Sequence, residues 1–259
     1  MNILEKIVAH KRVWVAEQQA KKSVEELKQS LYYMRPTFSL VDKIRNGSEA
    51  GIIAEFKRRS PSKGDIYANA DVVEVVSGYQ NAKASAVSIL TDVEFFGGSD
   101  HDLLEARPHL TIPILRKDFI IDPYQIHEAK AIGADIILLI AACLSVQEVK
   151  ELAQLAKSLG LEVLLELHDE DELGHVSTHI DLVGINNRSL KTFEVNVERS
   201  LSMAASIPNS FIKVAESGID DPALIRLFKS NGFGAFLIGE YFMKTHVPGP
   251  ALEKFIQQI

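Results

Sequence analysis

Ile136-Ile-Leu-Leu-Ile140 is an uninterrupted run of apolar side chains that follows the charged Asp135. A short run of this kind is typical of a strand buried on both faces, as in a parallel sheet. Similar runs occur on either side of it along the chain, at residues 52–55, 86–90, 112–115, 162–165, 182–185, 211–215 and 235–238. The sequence therefore predicts eight buried strands.

Segments with helical periodicity alternate with these strands. Their predicted bounds are residues 70–80, 100–107, 123–131, 146–159, 170–176, 197–206, 222–230 and 249–258. Alternating units of this kind predict an α/β fold, a closed (β/α)8 barrel of the TIM type, whose active site lies at the carboxyl ends of the strands. The alternative is an open, doubly wound sheet. The absence of a Gly-x-Gly-x-x-Gly motif after the first strand argues against it.

Two amphipathic helical patterns precede the first strand, near residues 2–18 and 23–32. Ile7 and Val15 are spaced for one face of the first helix, and Leu27 and Leu31 for one face of the second, with Ser23 as its N-cap. No strand accompanies these helices. We therefore expect an N-terminal helical extension over residues 1–50 and a single catalytic barrel over residues 51–259.

The composition excludes several classes of protein. Of 259 residues, 46% are hydrophobic and 24% are charged, which is typical of globular domains. The net charge of −7 argues against a nucleic-acid partner and against binding to an anionic membrane. The longest apolar run is about half of the ~20 residues that a membrane span needs. Cys143 is the single cysteine, which predicts a cytoplasmic protein without an internal disulfide, and we interpret it as a small core residue.

Polar side chains stand where the predicted strands end. Glu55 and Lys57 end the first strand and point to the same side of it, so both can face the mouth of the barrel. A charge that directly follows a buried strand needs a partner near the barrel axis, which favours a functional role. His168, just after the fifth strand, is interpreted as peripheral. The other strand ends carry Lys117, Glu166, Asn186, Arg188, Glu216 and Glu240.

Ser217, Gly218 and Gly239 follow the seventh and eighth strands, where barrels frequently hold a phosphate group. Glycine lets the backbone approach an anion, and a short helix predicted from Glu240 onward would offer N–H donors. The acidic side chain of Glu240 is unexpected there, because it adds negative charge beside an anion. These residues predict a phosphorylated small-molecule substrate, although each glycine alone is also compatible with a simple turn.

Several longer motifs combine these residues, among them Ile53-Ala-Glu-Phe-Lys-Arg-Arg-Ser-Pro-Ser-Lys-Gly64 and Gly184-Ile-Asn-Asn-Arg188. Together with residues 88–92, 95–99, 113–120, 133–140, 214–219 and 236–240, they resemble the indole-3-glycerol-phosphate synthase family over nearly the whole chain. The resemblance implies ring closure of 1-(2-carboxyphenylamino)-1-deoxyribulose 5-phosphate to indole-3-glycerol phosphate, with loss of carbon dioxide and water, in tryptophan biosynthesis. It implies no metal and no organic cofactor.

The resemblance also implies catalytic roles. Lys117 resembles the general acid for ring closure, and Glu166 resembles a carboxylate near the substrate nitrogen that also acts on the leaving hydroxyl. Lys57, paired with Glu55, resembles a group that contacts substrate anions and serves the dehydration. The sequence leaves open which lysine delivers which proton. The positioning residues that it implies are Asn186 and Arg188.

The same resemblance implies a substrate-binding set. In this set, the apolar slot for the aromatic ring consists of Phe96, Phe119 and Leu138. Ser60 lies on a mobile first loop. The cradle for the phosphate group consists of Ser217, Gly218, Gly239 and Glu240.

Some features differ from the family pattern or leave alternatives open. Phe56 stands where a smaller aliphatic residue is usual, and Asn196 stands where an acid is common. Residues 174–180 are short and polar for the helix expected there. A phosphosugar isomerase resembling phosphoribosylanthranilate isomerase, and a non-catalytic phosphate-ligand-binding barrel, are the alternative functions. The oligomeric state is left open, with a monomer and contacts with other tryptophan-pathway enzymes both allowed.

Overall fold

The computed structural model describes residues 3–47, 50–61, 63–189 and 194–259, which form a closed barrel of eight parallel strands. Each strand pairs with its neighbours in chain order, and the last strand closes the barrel against the first. The predicted (β/α)8 barrel is confirmed, and the open sheet is wrong. The strands are β1 (Ile52–Phe56), β2 (Ala86–Leu90), β3 (Ile114–Lys117), β4 (Ile136–Ile140), β5 (Glu162–Leu167), β6 (Leu182–Asn186), β7 (Ile212–Glu216) and β8 (Phe233–Ile238).

The N-terminal helices contact both ends of the barrel. At the carboxyl ends of the strands, Lys11 of the first helix forms buried salt bridges with Asp92 and Asp118. At the opposite end, Leu40 packs inside the barrel and its backbone N–H donates to Glu162 at the start of β5. The domain boundary at residue 50 stays a prediction. These helices are α1 (Ile3–Lys21), α2 (Val24–Leu27) and α3 (Leu40–Arg45).

The remaining helices follow the strands. Among the described residues, no helix is both long enough and apolar enough to cross a membrane. Short 3-10 helices lie at Arg107–His109, Ala141–Cys143 and Glu170–His175, and two-residue strands, Arg59–Ser60 and Gly64–Asp65, form a hairpin after β1. The α-helices are α4 (Val72–Asn81), α5 (Val93–Phe96), α6 (Asp100–Ala106), α7 (Pro123–Ile132), α8 (Val146–Ser158), α9 (Val197–Ala205), α10 (Pro222–Ser230), α11 (Glu240–Met243) and α12 (Pro248–Ile256).

Three predicted elements differ from the structure. The predicted helix over residues 23–32 ends at Leu27, and Leu31 is 85% exposed, so the expected shared face is wrong. β3 begins at Ile114 because Pro113 has no N–H to donate to a neighbouring strand. The segment predicted as a helix over residues 170–176 is a 3-10 helix at Glu170–His175 rather than an α-helix, and Gly174 disfavours the α-helical form.

Side chains alternate across each strand and divide the core into two layers. Ile53, Leu138 and Leu164 lie in the cluster inside the barrel, whereas Phe56 lies in the outer cluster against the helices. Asn196 caps the start of α9 by accepting a hydrogen bond from the backbone of Arg199, which suits an amide as well as an acid.

Candidate active site

A cavity of about 810 Å³ opens at the carboxyl ends of the strands. Lys57 and Lys117 both line it, so the two amines lie at the same end of the barrel. The cavity brings together every residue that the sequence predicted for the site: Glu55, Lys57, Ser60, Phe96, Lys117, Phe119, Leu138, Glu166, Asn186, Arg188, Ser217, Gly218, Gly239 and Glu240.

Lys117 lies at the centre of this cavity, between carboxylates from two other strands. Its Nζ is 3.0 Å from Glu166 Oε2, at the end of β5, and 3.9 Å from Glu216 Oε2, at the end of β7. Burial opposes the charge on Lys117, but Glu166, Glu216 and Glu55 outweigh it and raise the pKa of the amine above its ordinary value. The lysine is therefore charged at neutral pH.

Glu166 and Glu216 titrate in opposite directions although both are buried. Burial alone would raise the pKa of Glu166, but Lys117, His168 and Asn186 lower it well below the usual value. Asn186 Nδ2 donates to Glu166 Oε1 over 2.9 Å. Burial and the charge of Glu166 raise the pKa of Glu216 well above its usual value. The pKa values of the two carboxyl groups are thus moved apart within a single site, which favours the ionised form of Glu166 and the protonated form of Glu216.

Glu55 and Lys57 form a second ion pair at the end of β1 and just beyond it, with 2.5 Å between Lys57 Nζ and Glu55 Oε1. The glycine at position 239 makes room for this pair. A Cβ added there would lie 2.6 Å from Glu55 Oε1 and 2.8 Å from Glu55 Cβ. Gly239 therefore positions a carboxylate, in addition to beginning the turn into α11.

The side of the cavity next to α1 is apolar. The rings of Phe96 and Phe119 have centroids 6.0 Å apart and planes inclined by 37°, and buried Leu138 lies deeper in the barrel. Asp92 holds the start of α5 by accepting from the backbone of Phe95. Asp118 Oδ1 likewise accepts from the backbone N–H of Phe119 over 2.7 Å. Phe96, Phe119 and Leu138 thus all line the cavity, and their role as an aromatic slot stays a prediction.

The opposite side of the cavity is a tight turn. Ser217 and Gly218 have left-handed backbone angles, with φ of 66° and 68°. Asn187 Nδ2 donates to the carbonyl of Ser217 over 2.7 Å and holds the turn in place. A Cβ at Gly218 would lie 2.5 Å from Val195 Cγ1, so only glycine fits there.

Basic side chains lie around Glu240, whose negative charge is unexpected beside the predicted phosphate site. Glu240 Oε1 lies 2.5 Å from Lys244 Nζ and 4.0 Å from Lys63 Nζ. Its Oε2 lies 3.9 Å from Arg188 Nη2. Burial would raise the pKa of Glu240, but Lys244 and the other cations lower it. The carboxylate is therefore ionised and partly neutralises a basic rim. Within the described residues, no group of three or more His, Cys, Asp or Glu side chains is arranged to hold a metal ion.

The sequence profile of the family described as "Indole-3-glycerol phosphate synthase" matches residues 4–256. The chain belongs to this family. Indole-3-glycerol phosphate synthases are carboxy-lyases of tryptophan biosynthesis, and the family resemblance predicted from the sequence is confirmed.

Two proteins of that name are similar over their full length. One, from Bacteroides thetaiotaomicron, is 48% identical over 258 residues, covering 100% of this chain and 99% of the relative. The other, from Polynucleobacter asymbioticus, is 42% identical over 262 residues, covering 98% of each. A chain in a solved tryptophan synthase a2b2 complex from Pyrococcus furiosus has a TM-score of 0.58 and 15% identity, over 81% of this chain and 97% of that chain. That likeness shows the fold alone.

Some residues of the cavity were not predicted from the sequence. His168 was predicted to be peripheral, which is wrong: it is 3% exposed and its Nε2 lies 3.0 Å from Glu166 Oε1. Its place two residues after Glu166 was a signal, since both point to one side of the chain. Glu216 was recognised as a strand end but not assigned to the site. Ile7 of α1 also lines the cavity, together with Ile3 and Leu4.

Proposed function

We propose that the chain closes the indole ring of 1-(2-carboxyphenylamino)-1-deoxyribulose 5-phosphate with Lys117 as the general acid. The observation that carries this proposal is the position of Lys117 Nζ at the centre of the cavity, between Glu166 and Glu216. The aryl carbon that bears the carboxylate attacks the ketone carbon. Lys117 gives its proton to the ketone oxygen as that bond forms, so no free alkoxide builds up.

Glu166 stabilises the positive charge that ring closure leaves on the substrate nitrogen. Carbon dioxide then leaves, and the electron pair of the broken carbon–carbon bond returns to the ring and neutralises that charge. In the last step, Lys57 protonates the departing hydroxyl and Glu166 accepts the proton from the adjacent carbon, which yields the indole and water. Glu55 holds Lys57 in place through their ion pair.

We assign substrate binding to the two sides of the cavity. Phe96 and Phe119 hold the aromatic ring, and the turn at Ser217 and Gly218 holds the phosphate group with Arg188. Ser60 and Gly239 complete the cradle, and Asn186 orients Glu166. One chain supplies all of these residues, which supports a monomer that acts alone on its substrate. The lone cysteine in the sequence supports a cytoplasmic location.

The test is to supply the substrate and follow the fluorescence of the indole product. Lys117→Ala should lower kcat by about 10²- to 10⁴-fold, the usual contribution of a general acid. Lys150→Ala, an exposed lysine on α8, is the control and should leave turnover unchanged. Near-normal turnover by Lys117→Ala would contradict the assignment. Turnover of phosphoribosylanthranilate alone would favour the isomerase, and product binding without turnover would favour a non-catalytic barrel.

A further inference from the structure

His168 is a buried polar side chain that the mechanism above does not use. It is 3% exposed and lines the cavity beside Glu166. Its Nε2 lies 3.0 Å from Glu166 Oε1, yet among the described residues neither ring nitrogen has an aligned hydrogen-bond partner. Buried polar groups normally have such partners, so an exception that faces a catalytic carboxylate calls for a functional explanation.

The backbone around His168 is held in place by Glu172. The N–H of His168 donates to Glu172 Oε2 over 2.6 Å, and the same carboxylate closes a capping box with Asp169 at the start of the 3-10 helix. The second ring nitrogen, Nδ1, is 4.0 Å from Glu172 Oε2. One ring nitrogen thus lies toward each glutamate, and the imidazole lies between them.

The two carboxylate oxygens of Glu166 face different partners. Oε2 faces Lys117, where ring closure takes place, whereas Oε1 faces Asn186 and His168. Burial raises the pKa of the nearby thiol of Cys143 to about 12, so the thiol carries no charge at neutral pH. The polar and titratable groups that face this carboxylate and the imidazole are Lys117 from β3, Cys143 after β4, Glu172 and His168 after β5, Asn186 from β6 and Glu216 from β7.

We propose that His168 is a positioning residue for ring closure, whose Nε2–H donates to Glu166 Oε1 and keeps Oε2 directed at Lys117 and the substrate. The inference rests on the role assigned to Glu166 in the proposed function. The imperfect alignment of the contact fits this role, because catalytic hydrogen bonds often align only when the substrate is bound. A donor to the ionised carboxylate also favours that charged state over the protonated one.

The test compares two substitutions with different donors. His168→Phe removes both ring nitrogens at similar volume, and His168→Gln places an amide N–H close to the position of Nε2. The acid limb of kcat/KM against pH should move upward by about one to two pH units in His168→Phe, the value of one hydrogen bond to a charged group. His168→Gln should keep the limb near its original position. An unmoved limb in folded His168→Phe, or an equal shift in both variants, would overturn the proposal.

Two further measurements make the result decisive. If His168→Phe does not fold, His168→Asn replaces it, because its amide lies near the position of Nδ1 and cannot reach Glu166 Oε1. Carbon-13 titration of the Glu166 carboxylate, assigned with Glu166→Gln, follows its pKa without any turnover. If the pKa of Glu166 rises in the variant without the donor, but the unmodified protein does not turn over the substrate, the proposed function is refuted and the contact with His168 stands. If the unmodified protein turns over the substrate, but the pKa of Glu166 is unchanged in the variant without the donor, only the role of His168 is refuted.

Discussion

The carboxylate of Glu216 occupies the space in which a side chain at Gly184 would lie. A Cβ added at position 184, on β6, would be 2.1 Å from Glu216 Oε1, at the end of β7. The other oxygen of Glu216 lies 3.9 Å from Lys117 Nζ. Gly184 on β6 thus leaves room for the buried carboxylate of Glu216 on β7, and Gly239 likewise leaves room for that of Glu55.

Gly184→Ala should push Glu216 away from Lys117. We expect a loss of about 10²-fold in kcat/KM, since a displacement of about 1 Å near the reacting groups has effects of that size. Overpacking should also lower the free energy of unfolding by about 1–3 kcal/mol. Steady-state kinetics and thermal melts measure the two effects. Gly174→Ala is the control, because nothing lies within 4 Å of its added Cβ. Unchanged kinetics in Gly184→Ala would show that Glu216 does not need this position.

Glu216→Gln should change how stability depends on pH. Burial and Glu166 raise the pKa of Glu216 above its ordinary value of 4.5, so the folded state keeps a proton that the unfolded state releases. Stability from this group is present below pH 4.5 and is lost as the pH rises through the folded-state pKa. Denaturant titrations between pH 4.5 and 8 should show a shallower decline in Glu216→Gln than in the unmodified chain. Parallel declines would mean that Glu216 is ionised in the folded protein.

Lys11→Met should loosen the aromatic slot. Lys11 Nζ lies 2.9 Å from Asp92 and 2.8 Å from Asp118, the two acids that hold the backbone beside Phe96 and Phe119. The substitution leaves buried Asp92 without this salt bridge and leaves Asp118 with Arg116 Nη2 at 3.4 Å, which should lower the free energy of unfolding by about 3–5 kcal/mol. Because the slot binds the ring before and during closure, KM should rise more than kcat falls. Lys6→Met, an exposed position on α1, should change neither, and an equal loss from both variants would rule out the salt bridges as the cause.

Glu240→Gln should tighten the binding of inorganic phosphate as a competitive inhibitor. The substitution removes a negative charge among Lys63, Arg188 and Lys244 without changing the shape of the side chain. We expect the inhibition constant to fall by about 2- to 5-fold at fixed ionic strength, in line with partly exposed ion pairs. Glu253→Gln, an exposed position on α12, is the control. Weaker phosphate binding in Glu240→Gln would mean that the carboxylate orders the basic rim rather than opposing the anion.

The strand ends could be recognised from sequence because the signal is local. At Glu55 and Lys57, and at Lys117, the sequence changes from apolar to charged residues within two positions, and this change marks the end of the strand. Leu31 and His168 were misjudged for a related reason. For Leu31, the sequence did not show that the helix ends at Leu27. For His168, it did not show that the side chain is buried beside Glu166, although the spacing of two residues was a signal.

By itself, the sequence determined the alternation of strands and helices and the set of polar residues at the strand ends, because each depends on periodicity over a few residues. It favoured a closed barrel over an open sheet, and the pairing of the last strand with the first decided between them. Only the tertiary structure separated the pKa values of Glu166 and Glu216. Both are glutamates at the ends of buried strands, and the sequence does not show how close either lies to Lys117. Lys117 and Asn186 across the barrel, with His168 two residues further along the chain, lower the pKa of Glu166. Burial and the charge of Glu166 raise that of Glu216, which occupies the space left by a missing side chain at Gly184.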